Sequence, residues 1–238
     1  MSVESNFENS DALSYLKTLP DKSVNLVLTD PPYAISRATG FASGELKGND
    51  TDRFRVSYEF GDWDTVDLFY FKEVFTETFR VMGGGATLIV FYDQWKMQEL
   101  KELLEKIGFR MFRMIEWVKT NPVPINSKSL YLSNSKEYAL VCVKGGKPVF
   151  NSSYHKGIFE YPIYHAKDRW HSTQKSLPLF EELIKIHTNE QQVVLDMFSG
   201  SATTQVAAKK LNRKWLGCEL NKEFYLKCKQ RIEDAKPY

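Results

Sequence analysis

The sequence predicts a doubly wound α/β fold on a mostly parallel sheet. Two observations carry that prediction. Strand-like and helix-like segments alternate along the 238 residues, and three carboxylates, Asp30, Asp196 and Glu219, stand at or just beyond strand ends. Alternation of this kind places helices on both faces of a parallel-rich sheet, whose chemistry lies beyond the carboxyl ends of its strands.

The elements follow in order. A short strand at 6–10 precedes Asp11, which is placed to cap a helix over "ALSYLKTL". Leu26, Val27 and Leu28 form the centre of a buried strand. From Val66 to Met82, Leu68, Phe71, Phe75, Phe79 and Met82 recur at three- and four-residue spacing. This predicts an amphipathic helix capped by Asp64-Thr65 and stopped by Gly83-Gly84-Gly85. "ATLIVFY" is a strand. Asp93 caps a helix with Trp95, Leu100, Leu103, Leu104 and Ile107, ended by Gly108. "MIEWVK" and "EYALVCVK" are two further strands, and 145–169 has no clean period, so it is expected to be an irregular insertion. Pro178, in a first turn, opens a helix to His187; "QVVLDMF" is a strand, Thr203–Leu211 a helix, "KWLGCEL" a strand, and Asn221 caps the last helix.

Composition bounds the partners. With 42% hydrophobic residues the chain can cover one large core, so 1–238 is expected to be a single domain. The net charge of +2 does not mark a polyanion binder. Residues 119–175, however, carry nine Lys/Arg against three acids, a local +6 that leaves −4 for the rest. Such asymmetry points to one face for an anionic partner, although a solvated surface fits it equally. Cys142, Cys218 and Cys228 lack C-x-x-C spacing and are expected to be reduced, as in a cytoplasmic protein. The apolar runs are too short to cross a bilayer, and His155, His165 and His171 share no metal-ligand spacing.

"VVLDMFSGSATT" (193–204) is a strand, an acid, a small-residue turn and a helix. Gly200 and Ser201 let a ligand approach the backbone, and the N–H groups opening the helix at Thr203 favour an anionic group. Neither a G-x-G-x-x-G pattern nor a Walker lysine is present. Glu219, at the tip of the next strand, is where a carboxylate holds ribose hydroxyls. Together these point to a nucleoside-containing cofactor without a pyrophosphate.

With Asp30-Pro31-Pro32-Tyr33 added, the chain resembles the β-class amino-group DNA methyltransferases that use S-adenosylmethionine. Their catalytic motif is D/N/S-P-P-Y/F/W and their cofactor motif D-x-F-x-G-S-G-T-T, in the order found here. "GGGATLIVF", "EWVKTNP", "EYALVCVK" and "HSTQKS" also resemble family landmarks, so the likeness covers nearly the whole chain. It departs at Met197 (Pro in the family), Ala202 (the last Gly of the motif), Ser10 (Gly) and the missing prolines of "HSTQKS". Ala202 is expected to add a methyl near the cofactor and weaken its binding. The resemblance implies a class I, Rossmann-like methyltransferase fold: a seven-stranded sheet with one antiparallel hairpin made by "MIEWVK" and "EYALVCVK".

It also implies roles. An exocyclic amine such as adenine N6 is a poor nucleophile because its lone pair is delocalised into the ring. The Asp30 carboxylate and the Pro31 carbonyl would accept its two N–H groups, with Pro31 and Pro32 fixing φ. Tyr33 would stack on a base rotated out of the duplex. The cofactor would be held by Asp11, Ala12, Asp30, Asp196, Phe198, Gly200, Ser201, Ala202, Thr203, Glu219 and Leu220. Lys175 would contact its methionine carboxylate or a DNA phosphate. Residues 145–170 lie where the family recognises its target, so Lys156, Lys167 and Arg169 would contact DNA phosphates. The Gly- and Ser-rich 34–62 would be a mobile loop closing over the site. The expected activity is adenine-N6 methylation of DNA, and the resemblance leaves room for a homodimer and a cognate restriction endonuclease. Cytosine-N4 methylation and a catalytically silent DNA-binding regulator are the alternatives.

Overall fold

The computed structural model describes residues 4–32, 67–122, 132–164, 170 and 174–238. The first half runs β1 (Asn6–Glu8), α1 (Ala12–Thr18), β2 (Val24–Thr29), α2 (Asp67–Val81), β3 (Met82–Tyr92) and α3 (Met97–Ile107). The second runs β4 (Arg110–Lys119), β5 (Lys136–Val143), β6 (Ile158–Tyr161), α4 (Leu177–His187), β7 (Val193–Asp196), α5 (Thr203–Lys210), β8 (Lys214–Cys218) and α6 (Lys222–Asp234).

These strands form one sheet in the order β1-β8-β7-β2-β3-β5-β4-β6. Five neighbours from β1 to β3 are parallel, β5 runs antiparallel to both β3 and β4, and β6 is parallel to β4. The doubly wound, mostly parallel class therefore stands, with the β4–β5 hairpin where it was expected. Among the described residues the sheet has eight strands rather than the expected seven. The extra one, β6, lies inside the segment expected to be irregular. It is four residues long with only Phe159 buried, too short to display a period. Pairing with Glu116–Lys119 and the bond from Trp117 Nε1 to the Tyr161 carbonyl (2.8 Å) hold it there. The three glycines expected to end α2 instead lie within β3. Pairing jumps from Val24–Met82 to Leu26–Thr87, so the glycines bulge out of the ladder.

Side chains alternate across the sheet, so each strand feeds both cores. Val27, Leu88, Val90 and Leu140 pack with α1, α2 and α3; Leu26, Leu28, Ile89, Phe91 and Trp117 pack with α4 and α5. The β2-to-β3 crossover through α2 thus lies on one face and the β7-to-β8 crossover through α5 on the other. β2 and β7 are adjacent, so the crossovers diverge between them, leaving a crevice at their carboxyl ends. Buried Cys142, Cys218 and Cys228 are free thiols. Among the described residues no helix is long and apolar enough to cross a membrane.

Candidate active site

The crevice between β2 and β7 holds the predicted acid and the predicted turn together. Asp30, Lys175, Phe180, Asp196, Phe198, Ser199, Gly200, Ser201, Thr203 and Thr204 line one small cleft. Two motifs separated by more than half the chain meet there. Asp30 follows β2 directly and is half-buried; Pro31 is buried and Pro32 exposed. Tyr33, the 34–62 loop, Lys167 and Arg169 lie outside the described residues.

Asp196 is inside the structure rather than at its surface. Only 4% exposed, its carboxylate accepts from Thr29 Oγ1 (2.7 Å), Thr204 Oγ1 (2.7 Å) and Phe198 N (3.1 Å). It therefore ties the tips of β2 and β7 to the first turn of α5. Burial pushes its pKa up to about 6, against the pull of those three donors. Behind it, the fully buried Gln205 amide reaches the Asp196 carbonyl (3.3 Å), Ser199 Oγ (2.9 Å) and the Leu216 carbonyl (3.1 Å).

The turn itself is held on its outer side by α6. Arg231 donates to the Ser201 carbonyl (2.5 Å) and to Thr203 Oγ1 (3.1 Å), while Cys228 Sγ donates to the Gly200 carbonyl (3.2 Å). Gly200 has φ +52° and Ala202 φ +60°, both left-handed. In that region a Cβ costs roughly 1–2 kcal/mol, which accounts for a glycine at this motif position. The Ala202 methyl does not narrow the cleft, contrary to the expectation. It is fully buried with Val206, Cys228 and Ile232 between α5 and α6.

Glu219, just past β8, bridges the two turns. Oε2 accepts from Gly200 N (2.9 Å) and Oε1 from Asn221 N (2.9 Å). An ionised carboxylate accepts about four hydrogen bonds, so each oxygen retains a lone pair for a ligand hydroxyl. Burial raises its pKa despite those backbone donors. Asp11 caps α1 by accepting from Ser14 N (2.9 Å); burial pushes its pKa up, but backbone and side-chain bonds from Ser14 outweigh that and lower it. Beside it, Tyr70 is pushed up to about 12 by burial and by the Asp11 charge. Phe198 meets Phe71 edge-on (centroids 6.3 Å) and also lines the cleft, so packing and ligand contact coexist. Ala12 is buried in the core and Leu220 is exposed.

Lys175 lines the cleft and also meets two carboxylates of the chain itself. Its ammonium lies 3.0 Å from Asp30 Oδ2 and 2.5 Å from Glu137 Oε2. Glu137 was missed in the sequence, where it reads only as the first turn into an apolar strand. An acid immediately before "YALVCV" was the available signal. In 145–170, Lys156 is exposed near the base of β6. Ile158 pairs with Glu116 and Tyr161 with Lys119, so β6 begins about 10 Å below the strand tips. Phe159 is core, Tyr161 donates to Glu182 (2.7 Å), and Trp170 packs on Phe224 of α6. Tyr154 is fully exposed.

Residues 24–230 match the N6/N4 family described as DNA methylase. Type II methyltransferase M2.LlaDCHI of Lactococcus lactis subsp. cremoris is 28% identical over 97% of this chain and 90% of its own length. Type II methyltransferase M2.DpnII of Streptococcus pneumoniae is 28% identical over 94% and 88%. Among solved structures, the M1.HpyAVI–SAM complex has a TM-score of 0.73 at 27% identity, covering 95% of this chain and 98% of that one. The cytosine-N4-specific PvuII DNA methyltransferase has a TM-score of 0.75 over 98% and 87%, but at 17% identity this is a likeness of fold alone.

Proposed function

The chain belongs to the N6/N4 DNA methylase family, and from that premise we propose that it methylates adenine N6 at a specific DNA site. It is an S-adenosylmethionine-dependent methyltransferase. The observation that carries the proposal is the meeting of Asp30 with the Gly200–Thr204 turn in one cleft.

The residues present fit that cofactor. Glu219 has lone pairs for two ribose hydroxyls beside a glycine whose backbone can be approached closely. Asp11, at the cap of α1, supplies a carboxylate for an adenine amine, and Phe198 offers a ring at the cleft wall. Asp196 acts from behind, fixing the strand tips. Bound there, S-adenosylmethionine supplies an electrophilic methyl group.

The protein's own contribution is to hold the nucleophile. Asp30 and the Pro31 carbonyl each accept one N–H of the target amine, which draws its lone pair out of conjugation with the ring. Two acceptors on one rigid strand end do this without reorganisation. Tyr33 supplies the stacking face for the extruded base. Lys156, Lys167 and Arg169 supply phosphate contacts.

Mass spectrometry of nucleosides from DNA incubated with the protein and labelled S-adenosylmethionine tests this reading. N6-methyladenine is expected, and N4-methylcytosine in its place would reassign the target. DNA binding with no transfer would leave the catalytically silent regulator.

A further inference from the structure

Four alternating charges cross the top of the sheet from Asp30 towards the β4–β6 edge. Lys119 ends β4, Glu137 is the second residue of β5, Lys175 precedes α4, and Asp30 follows β2. The separations are 2.9 Å from Lys119 Nζ to Glu137 Oε1, 2.5 Å from Lys175 Nζ to Glu137 Oε2, and 3.0 Å from Lys175 Nζ to Asp30 Oδ2. Lys175 is only 8% exposed, and its ammonium lies 5.2 Å from the centroid of the fully buried Phe91 ring. Burial pushes the Glu137 carboxyl up, but the Lys175 and Lys119 ammonium groups outweigh it and hold its pKa below the ordinary value. Two cations and two anions from four separate stretches of the chain thus form an interlocked row.

We propose that Lys175, held by Glu137 and Lys119, is a positioning residue that sets the orientation of the Asp30 carboxylate towards the target amine. The inference rests on the assignment of Asp30 above and adds how that group is aimed. A carboxylate on a strand end can swing about two side-chain torsions, and a bond to Oδ2 restrains that swing and so directs Oδ1. The row also tunes acceptor strength. An ammonium given wholly to Asp30 would draw charge from the oxygen that must bind the amine. Glu137 takes the shorter contact, so the ammonium is shared between the two carboxylates rather than given wholly to Asp30.

The test measures kcat, the S-adenosylmethionine Kd by calorimetry and the melting temperature for Lys175→Met, Lys175→Arg and Glu137→Gln. For Lys175→Met and Glu137→Gln, kcat should fall about ten- to a hundredfold, as for a misaimed reacting group. Cofactor Kd should stay within about twofold of wild type, separating orientation from binding. Lys175→Arg should recover part of the loss, since a guanidinium can span both carboxylates. In an Asp30→Ala background, Lys175→Met should cost nothing further. Wild-type kcat in Glu137→Gln or Lys175→Met would overturn the proposal. So would a Lys175→Met protein with much weaker cofactor binding and unchanged kcat. If Lys175→Met fails to fold, Glu137→Gln and Lys175→Arg still decide. A wild-type protein that makes no N6-methyladenine sinks the adenine reading instead, and positioning is then judged on whichever amine is methylated.

Discussion

Replacing Gly217 with alanine probes how the cofactor turn is braced. Gly217 pairs with Asp196 across β7 and β8. A Cβ built there would lie 2.1 Å from Gln205 Nε2, 2.8 Å from Ser199 Oγ and 2.9 Å from the Asp196 carbonyl. The strand backbone cannot retreat without breaking the β7–β8 ladder, so the Gln205 amide must move. That amide is fully buried and reaches three acceptors, and a displaced position offers it no water. Leaving a buried amide and its acceptors unsatisfied costs about 2–4 kcal/mol. For a chain of this length that lowers the melting temperature by roughly 5–15 °C. Ser199 leads directly into Gly200, so cofactor affinity should weaken as well. Thermal melts with and without S-adenosylmethionine measure both effects. Gln205→Ala removes the obstructing group, so the double variant should be less damaged than the sum of the singles, with a coupling above about 1 kcal/mol. A Gly217→Ala melt within roughly 2 °C of wild type, or strict additivity in the double variant, would refute the reasoning.

Three further outcomes are expected. Glu219→Ala should weaken S-adenosylmethionine binding by about 1.5–3 kcal/mol, the range for a charge-assisted bond, while DNA affinity holds; calorimetric titration reads both. His187 is buried, its Nδ1 has no hydrogen-bond partner among the described residues, and burial, then the neighbouring His155, lowers its pKa from 6.5 to about 4. The folded state therefore holds fewer protons than the unfolded between these values. Stability is complete above 6.5 and declines as pH falls towards 4, with a loss of about 2 kcal/mol between pH 7 and 5. Urea midpoints should show that loss in wild type and not in His187→Phe. Neutralising Lys156, Lys167 and Arg169 together should reduce the slope of log K against log salt for DNA by about 2.7; an unchanged slope would remove this segment from the DNA contacts.

Local chemistry made most elements legible. The α2 period, the Asp11 and Asn221 caps and the alternation of strand and helix are each written within a few consecutive residues, and the folded chain keeps them; Asp93 instead caps a 3-10 turn over Gln94–Lys96 that leads into α3. The same holds for Asp30-Pro31-Pro32 and for the Gly200 turn, because a strand end and a tight turn are short-range features. That Asp30 and Asp196 belong to one crevice was legible only as a consequence of the fold class.

What the sequence did not determine depends on register and on which face a side chain meets. The β6 strand exists because four weakly patterned residues find an open edge on β4. The Ala202 methyl turns into the α5–α6 core because a left-handed φ points it there, which the residue's identity alone does not reveal. Asp196 lines the cleft, and its carboxylate is bonded by two threonines 167 and 8 residues away, a pairing no local pattern shows. Lys175 read as a cation awaiting an anionic ligand, and Glu137 as part of a strand. Only the antiparallel reversal of β5 brings Glu137 to the same end of the sheet as Asp30, where one buried ammonium spans both carboxylates. Contacts between residues this far apart arise from packing, because burial forces each charge to find whatever opposite charge the topology has placed beside it.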